Sequence, residues 1–120
     1  MYTVLSADEV KKGKGVENEL GIFQNVFFSP TGNRRIRSVY VSIPPGVSGY
    51  VHAHEWDQLN IIISGSALAS FGEGENEEKI PVSAGMAFYV EPNVQHGVQN
   101  NGSETFVTLG IHAPMTEEDV

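Results

Sequence analysis

Histidine is scarce in this chain, four residues in 120, and two of the four stand one residue apart at His52 and His54. On an extended strand, side chains at i and i+2 leave the backbone on the same side. Two imidazoles presented in this way form half of a transition-metal site. His96 supplies a third nitrogen from later in the chain, and Gln58 an amide oxygen. The expectation is that His52, His54, Gln58 and His96 bind one divalent transition metal (zinc, nickel, manganese or iron) through metal–nitrogen bonds of about 2.0–2.1 Å. Three imidazoles and a neutral amide leave the ion's charge uncompensated by the protein. Such a centre favours Lewis-acid work on a carbonyl, carboxylate or hydroxyl of an anionic ligand. It suits oxygen activation at iron less well, because the facial triad used there includes a carboxylate.

Other residues can serve such a centre. Arg37 shares its alternation with Val39, Val41 and Ile43. If those three line an interior, Arg37 faces inward near its end and can clamp a carboxylate through two parallel hydrogen bonds. His112 is a candidate acid or base. Tyr50, Trp56 and Phe88 are candidates for an apolar pocket wall, and Glu55 and Asp57 for partners of histidine N–H groups.

The elements that must position these residues read as short strands. Thirteen glycines, six prolines and 40% apolar residues suit strands joined by tight turns. Strands are expected over 22–28, 35–43, 51–54, 59–63, 67–71, 79–82, 86–90, 95–99 and 105–112, with a capped helical turn after Ser6. Asn100-Asn101-Gly102 is a hairpin turn of a favoured kind. The run Leu59–Ile63 hardly alternates, so a cover is expected on both of its faces, from 22–28 or from a second subunit. The acidic stretch Glu73–Glu78 reads as a solubilising hairpin loop. One all-β domain over residues 1–120 is expected, shaped as a barrel or sandwich.

A net charge of −8 disfavours nucleic-acid binding. Without cysteine there are no disulfides and no thiolate chemistry. No apolar stretch approaches the roughly 20 residues of a membrane span, and the acidic N-terminus is unlike a signal peptide. A cytoplasmic protein acting on a small molecule, with no membrane or nucleic-acid partner, is expected.

The motif spacing resembles that of the cupin superfamily. Gly46, five residues, His52-x-His54, three residues, Gln58, six residues and Gly65 follow its first motif, with Gln where Glu is usual. Gly85, Pro92, His96, three residues and Asn100 resemble the second, with Glu91 in the usual proline position and Asn93 in the usual glycine position. The resemblance covers about residues 35–112 and implies a small jelly-roll β-barrel with one metal inside its mouth. Homodimers are common among small cupins, so the resemblance also implies a homodimer. The ligand pattern is similar to that of the pectin-degradation cupins, which rearrange unsaturated uronates to open-chain keto sugars. Those enzymes use an acidic residue and an arginine near the last strand, where Leu109 and Met115 stand here. The resemblance implies a metal-dependent enzyme acting on a sugar acid or carbonyl compound, with isomerase or lyase chemistry first. The alternatives are a metal-dependent dioxygenase and a non-catalytic module that binds a sugar or small acid.

Overall fold

The computed structural model describes residues 2–119. Ser6 caps the short helix α1 (Ala7–Lys11) as its spacing predicts. The Ser6 hydroxyl accepts from the Glu9 N–H and the Glu9 carboxylate accepts from the Ser6 N–H, both at 3.1 Å. Asn25 fastens this helix to the sheet, its Nδ2 donating to the carbonyls of Glu9 and Val10 at 2.9 and 2.7 Å.

Nine strands follow among the described residues: β1 (Val16–Glu17), β2 (Phe23–Phe28), β3 (Arg37–Ile43), β4 (Asp57–Ser64), β5 (Ser66–Phe71), β6 (Glu78–Ser83), β7 (Ala87–Val90), β8 (His96–Gln99) and β9 (Phe106–Ala113). They form two antiparallel sheets, one of order β1-β2-β3-β9-β4-β7 and one of order β6-β5-β8. This is a jelly-roll-like β fold, as expected. Between the sheets lies an apolar core that includes Ile43, Ile62, Ala69, Val82 and Phe106. Gly65 turns the chain from β4 into β5 at a φ of +79°, and a Cβ there would meet the Thr105 carbonyl at 2.5 Å. Only glycine fits that corner.

The strand register stacks the inward residues of β3, β9 and β4 in rows. Arg37, His112 and Gln58 form one row, Val39, Gly110 and Asn60 the next, and Val41, Thr108 and Ile62 a third. The row at one end of the sheet is therefore polar, and the rows become apolar with depth.

Two local expectations are corrected. Val51–His54 is not a strand: only an isolated bridge joins His52 to His96. The segment is instead pinned to β8 at intervals, Gly49 N–H to the Val98 carbonyl at 2.8 Å and His52 N–H to the His96 carbonyl at 3.0 Å. Within the chain itself, the run Leu59–Ile63 is covered on one face only, and the cover expected from 22–28 is absent. Gln58, Asn60 and Ile62 are buried, while Leu59, Ile61 and Ile63 are 38%, 37% and 47% exposed. The β2 strand does not cover them, because it extends the sheet beyond β3. Within 73–78, Gly74–Asn76 forms a 3-10 turn, and the segment leads directly into β6.

Asn100, fully buried, ties the end of β3 to the hairpin before β9. Its Nδ2 donates to the carbonyls of Ile43 and Glu104 at 2.9 and 2.8 Å, and its Oδ1 accepts from the Gly102 N–H at 3.0 Å. Asn100→Ala removes all three bonds, including the buried one to the Ile43 carbonyl. It is expected to cost roughly 2–4 kcal/mol of stability, read as a lower urea midpoint. An unchanged midpoint would show that these bonds do not hold the hairpin.

Candidate metal centre

Main-chain pairing brings the first two imidazoles together. His52 and His96 exchange both backbone hydrogen bonds, at 3.0 and 2.9 Å, so their side chains leave neighbouring points on one face. Their ring centroids are 4.5 Å apart. His54 completes the group, at 4.5 Å from the His52 ring and 5.3 Å from that of His96. Its carbonyl accepts from the Asn93 N–H. Asn93 takes a φ of +67°, which explains why the resembled motif has glycine here and why asparagine replaces it at little cost. Trp56 stacks on the outer side of His54, centroids 4.8 Å apart and planes 12° apart. The tryptophan thus braces the His54 ring, and it is not among the cavity-lining residues.

One ligand atom from each of the three histidines lies within 4.8 Å of the others. Nitrogens sharing one ion through bonds of about 2.1 Å stand no more than ~4.2 Å apart, so small ring rotations would be needed for all three to reach one ion. His96 is the best prepared. Its Nδ1 lies 2.9 Å from the Val94 carbonyl, which can only accept, so the proton sits on Nδ1 and the lone pair on Nε2. That Nε2 is buried with no hydrogen-bond partner.

Gln58, 8% exposed, is prepared in the same sense. Its Nε2 donates to Asn60 Oδ1 at 2.7 Å, Asn60 Nδ2 donates to Thr108 Oγ1 at 3.0 Å, and the Thr108 hydroxyl donates to the Ile61 carbonyl at 3.2 Å. Gln58 Oε1 is left buried and unpartnered. A buried polar atom without a partner is costly. Two such acceptors, Oε1 and His96 Nε2, on residues lining one cavity fit a cation.

The cavity measures about 630 Å³ and is lined by all four expected ligands together with Arg37, His112, Tyr50 and Phe88. Its inner walls are apolar, contributed by Ile22, Val39, Val41, Ile43 and Val98. Gly110 keeps the space under His112 open, since a Cβ there would meet Val39 Cγ1 at 3.1 Å. Lys14 and Arg37 are its lysine and arginine, and among the described residues no carboxylate lines it. The Arg37 guanidinium forms no ion pair among the described residues. Burial lowers its pKa. Burial also depresses His52, with the neighbouring His96 adding to the effect. His54 is pushed to about 4, by burial first and then by His52, His96 and Arg37. His112 is likewise pushed to about 4, by burial and then by Arg37 and the three other histidines. The His52, His54 and His112 imidazoles are therefore biased towards the neutral form, the form a metal requires.

Other expected residues fall elsewhere. Asp57 accepts from the Tyr89 hydroxyl, and Glu55 is exposed; neither lines the cavity. Leu109 is also outside the lining, and Met115 is fully buried. Asn60 and Thr108 belong to no motif in the sequence, although Asn60 is the one polar residue inside the run Leu59–Ile63 and shares the parity of Gln58.

The family profile of the cupin domain matches residues 39–112. No curated protein matches the chain. Among solved structures, an RmlC-like cupin from Shewanella frigidimarina is similar over 100% of this chain and 97% of its own, with 20% identity and a TM-score of 0.77. A predicted oxalate decarboxylase from Thermotoga maritima is similar over 94% and 100%, with 18% identity and a TM-score of 0.78. KdgF from a Halomonas species is similar over 89% and 91%, with 22% identity and a TM-score of 0.69. These likenesses establish a shared fold. No helix among the described residues is long and apolar enough to cross a membrane.

The depressed histidines fix a pH dependence. A folded pKa of about 4 at His54 and His112 lies below the ordinary value of 6.5, so protonation favours the unfolded chain. In chelator, the stability of the protein is expected to be full above pH ~6.5 and to fall as the pH drops towards 4. Urea midpoints measured between pH 7.5 and pH 4 check this. A midpoint that rises on acidification would contradict the assigned burial of these rings.

Proposed function

The chain belongs to the cupin family, and we propose that it is a metal-dependent enzyme acting on a small anionic, oxygenated substrate. His52, His54 and His96 would hold one divalent transition metal, with Gln58 Oε1 as the oxygen ligand. The observation that carries the reading is the shared cavity. Three converging imidazoles, an arginine without an ion-pair partner and a fourth histidine line one space that no carboxylate enters among the described residues.

When bound, the metal would supply Lewis-acid polarisation of a substrate oxygen. The chain's own residues would do the rest. Arg37 would receive the substrate carboxylate in a bidentate clamp. It is the cross-strand neighbour of His112, so the clamp would hold the adjacent carbon beside that imidazole. His112, kept neutral at pH 7 by burial and Arg37, would take up a proton once a bound anion offsets the arginine's charge. The apolar walls would exclude water from the reacting atoms. This set supports isomerase or lyase chemistry. The donor set of imidazoles and an amide supports it over dioxygenase chemistry, and the second titratable group beside the metal ligands supports catalysis over binding alone.

The walls also bear on the substrate. Asn60 and Thr108 are bonded to one another, and Ile22, Val39, Val41, Ile43, Phe88 and Val98 give the cavity a broad apolar wall, although Lys14, Asn18, Gln24 and Asn25 also line it. A polyhydroxylated sugar acid would leave the hydroxyls that face this apolar wall unpartnered. A carbonyl-containing acid with an apolar body suits the cavity better. The exposed row of Leu59, Ile61 and Ile63 supports a homodimer.

Chelator-stripped protein is expected to take up one equivalent of Zn²⁺, Ni²⁺ or Mn²⁺, and the double variant His52→Ala/His96→Ala none. In the metal-loaded protein, an aliphatic 2-oxo acid is expected to bind more tightly than a uronate. Arg37→Gln should weaken that binding at least tenfold with metal content unchanged. Full metal occupancy in the double histidine variant would overturn the metal assignment. An unchanged 2-oxo acid affinity in Arg37→Gln would overturn the clamp.

A further inference from the structure

The three hydrogen bonds behind Gln58 have a direction, and the direction is set by the main chain. The Ile61 carbonyl can only accept, so the single hydroxyl hydrogen of Thr108 goes to it, at 3.2 Å. Thr108 Oγ1 must then accept, which turns the Asn60 NH2 group towards it, at 3.0 Å. Asn60 consequently presents its oxygen to Gln58, and Gln58 answers with its NH2 group, at 2.7 Å. Two amides that could each flip are locked by a backbone acceptor at the far end of the relay. Asn60 and Thr108 are 6% and 4% exposed, so water does not compete for these bonds.

We propose that Asn60 and Thr108 are positioning residues that aim the Gln58 oxygen at the metal and make position 58 selective for a neutral ligand. The proposal rests on the metal reading above and adds the reason why this chain carries glutamine where the motif usually has glutamate. Coulomb attraction alone would have a carboxylate at position 58 bind a dication more tightly. Here a carboxylate oxygen would oppose Asn60 Oδ1 across a hydrogen-bond distance, acceptor against acceptor. Relief requires Asn60 to flip. Thr108 must then turn its hydrogen away from Ile61, and the relay loses a bond. In Thr108→Val, Asn60 is free to turn either way. That substitution therefore has opposite consequences in two backgrounds: it loosens the aim of the native Gln58, and in the Gln58→Glu variant it removes the obstacle to the carboxylate.

The test is a double-mutant cycle on Zn²⁺ affinity, measured by competition with a chromogenic chelator. Thr108→Val is expected to weaken Zn²⁺ binding in the otherwise unaltered protein and to tighten it in the Gln58→Glu variant. Each change should be roughly two- to tenfold, the contribution of one hydrogen bond. Thr108→Ser, which keeps the hydroxyl, should restore the affinity of the unaltered protein. A factor of the same sign and size in both backgrounds overturns the proposal, because a merely structural role of Thr108 gives that result. No Zn²⁺ uptake by the unaltered protein overturns the metal reading as well, whereas uptake with an additive cycle overturns the relay alone. Should Thr108→Val fail to fold, hydrogen exchange of the Gln58 side-chain NH2 in the Zn²⁺-loaded protein decides. Protection is expected, and exchange as fast as that of an exposed glutamine overturns the proposal.

Discussion

The reciprocal backbone hydrogen bonds between His52 and His96 determine most of what the rest of the site can do. They seat an irregular segment against β8 without making it a strand, and they set two imidazoles side by side before any ion is bound. A full strand at 51–54 would continue the ladder past His52. The single bridge instead lets the chain leave the sheet, so that His54 meets the other two rings and Trp56 can stack behind it. Preorganisation of this kind lowers the cost of assembling ligands around an ion.

The mouth of the barrel concentrates groups that oppose folding. Four imidazoles, an arginine without an ion pair and an oxygen of Gln58 without a partner, both among the described residues, sit where an ordinary sandwich would place aliphatic side chains. The stability that offsets them lies deeper and at the far end, in Phe106, Ile62 and Ala69 between the sheets and in the Asn100 clasp. Separating the costly end from the stable end is what the row order of β3, β9 and β4 achieves, since each row is one register step further from the mouth.

Much of this was legible in the sequence because the motif residues have backbone as well as chemical reasons to be there. Gly65 and Asn93 mark left-handed corners, and the histidine spacing marks the site. The strand order, by contrast, is set by long-range pairing that no local pattern shows. The alternation of the run Leu59–Ile63 was hidden for a specific reason. Its alternation is inverted, with Gln58 and Asn60 inside and Leu59 and Ile61 outside, because the interior at that level is a polar site. Read by hydropathy alone it loses its period. The relay through Asn60 and Thr108 was invisible for a different reason: its two halves lie 48 residues apart on neighbouring strands. The orienting bond from His96 to the Val94 carbonyl involves a main-chain atom, which has no sequence signature.

The central claim is that three imidazole nitrogens and the Gln58 oxygen converge on one ion. Anomalous diffraction from crystals of the metal-loaded protein tests it most directly. The account predicts one anomalous peak per chain, contacted by His52, His54, His96 and Gln58 Oε1 at about 2.0–2.2 Å. A peak that leaves out any of the three histidines, or one that takes His112 in place of Gln58, would contradict it.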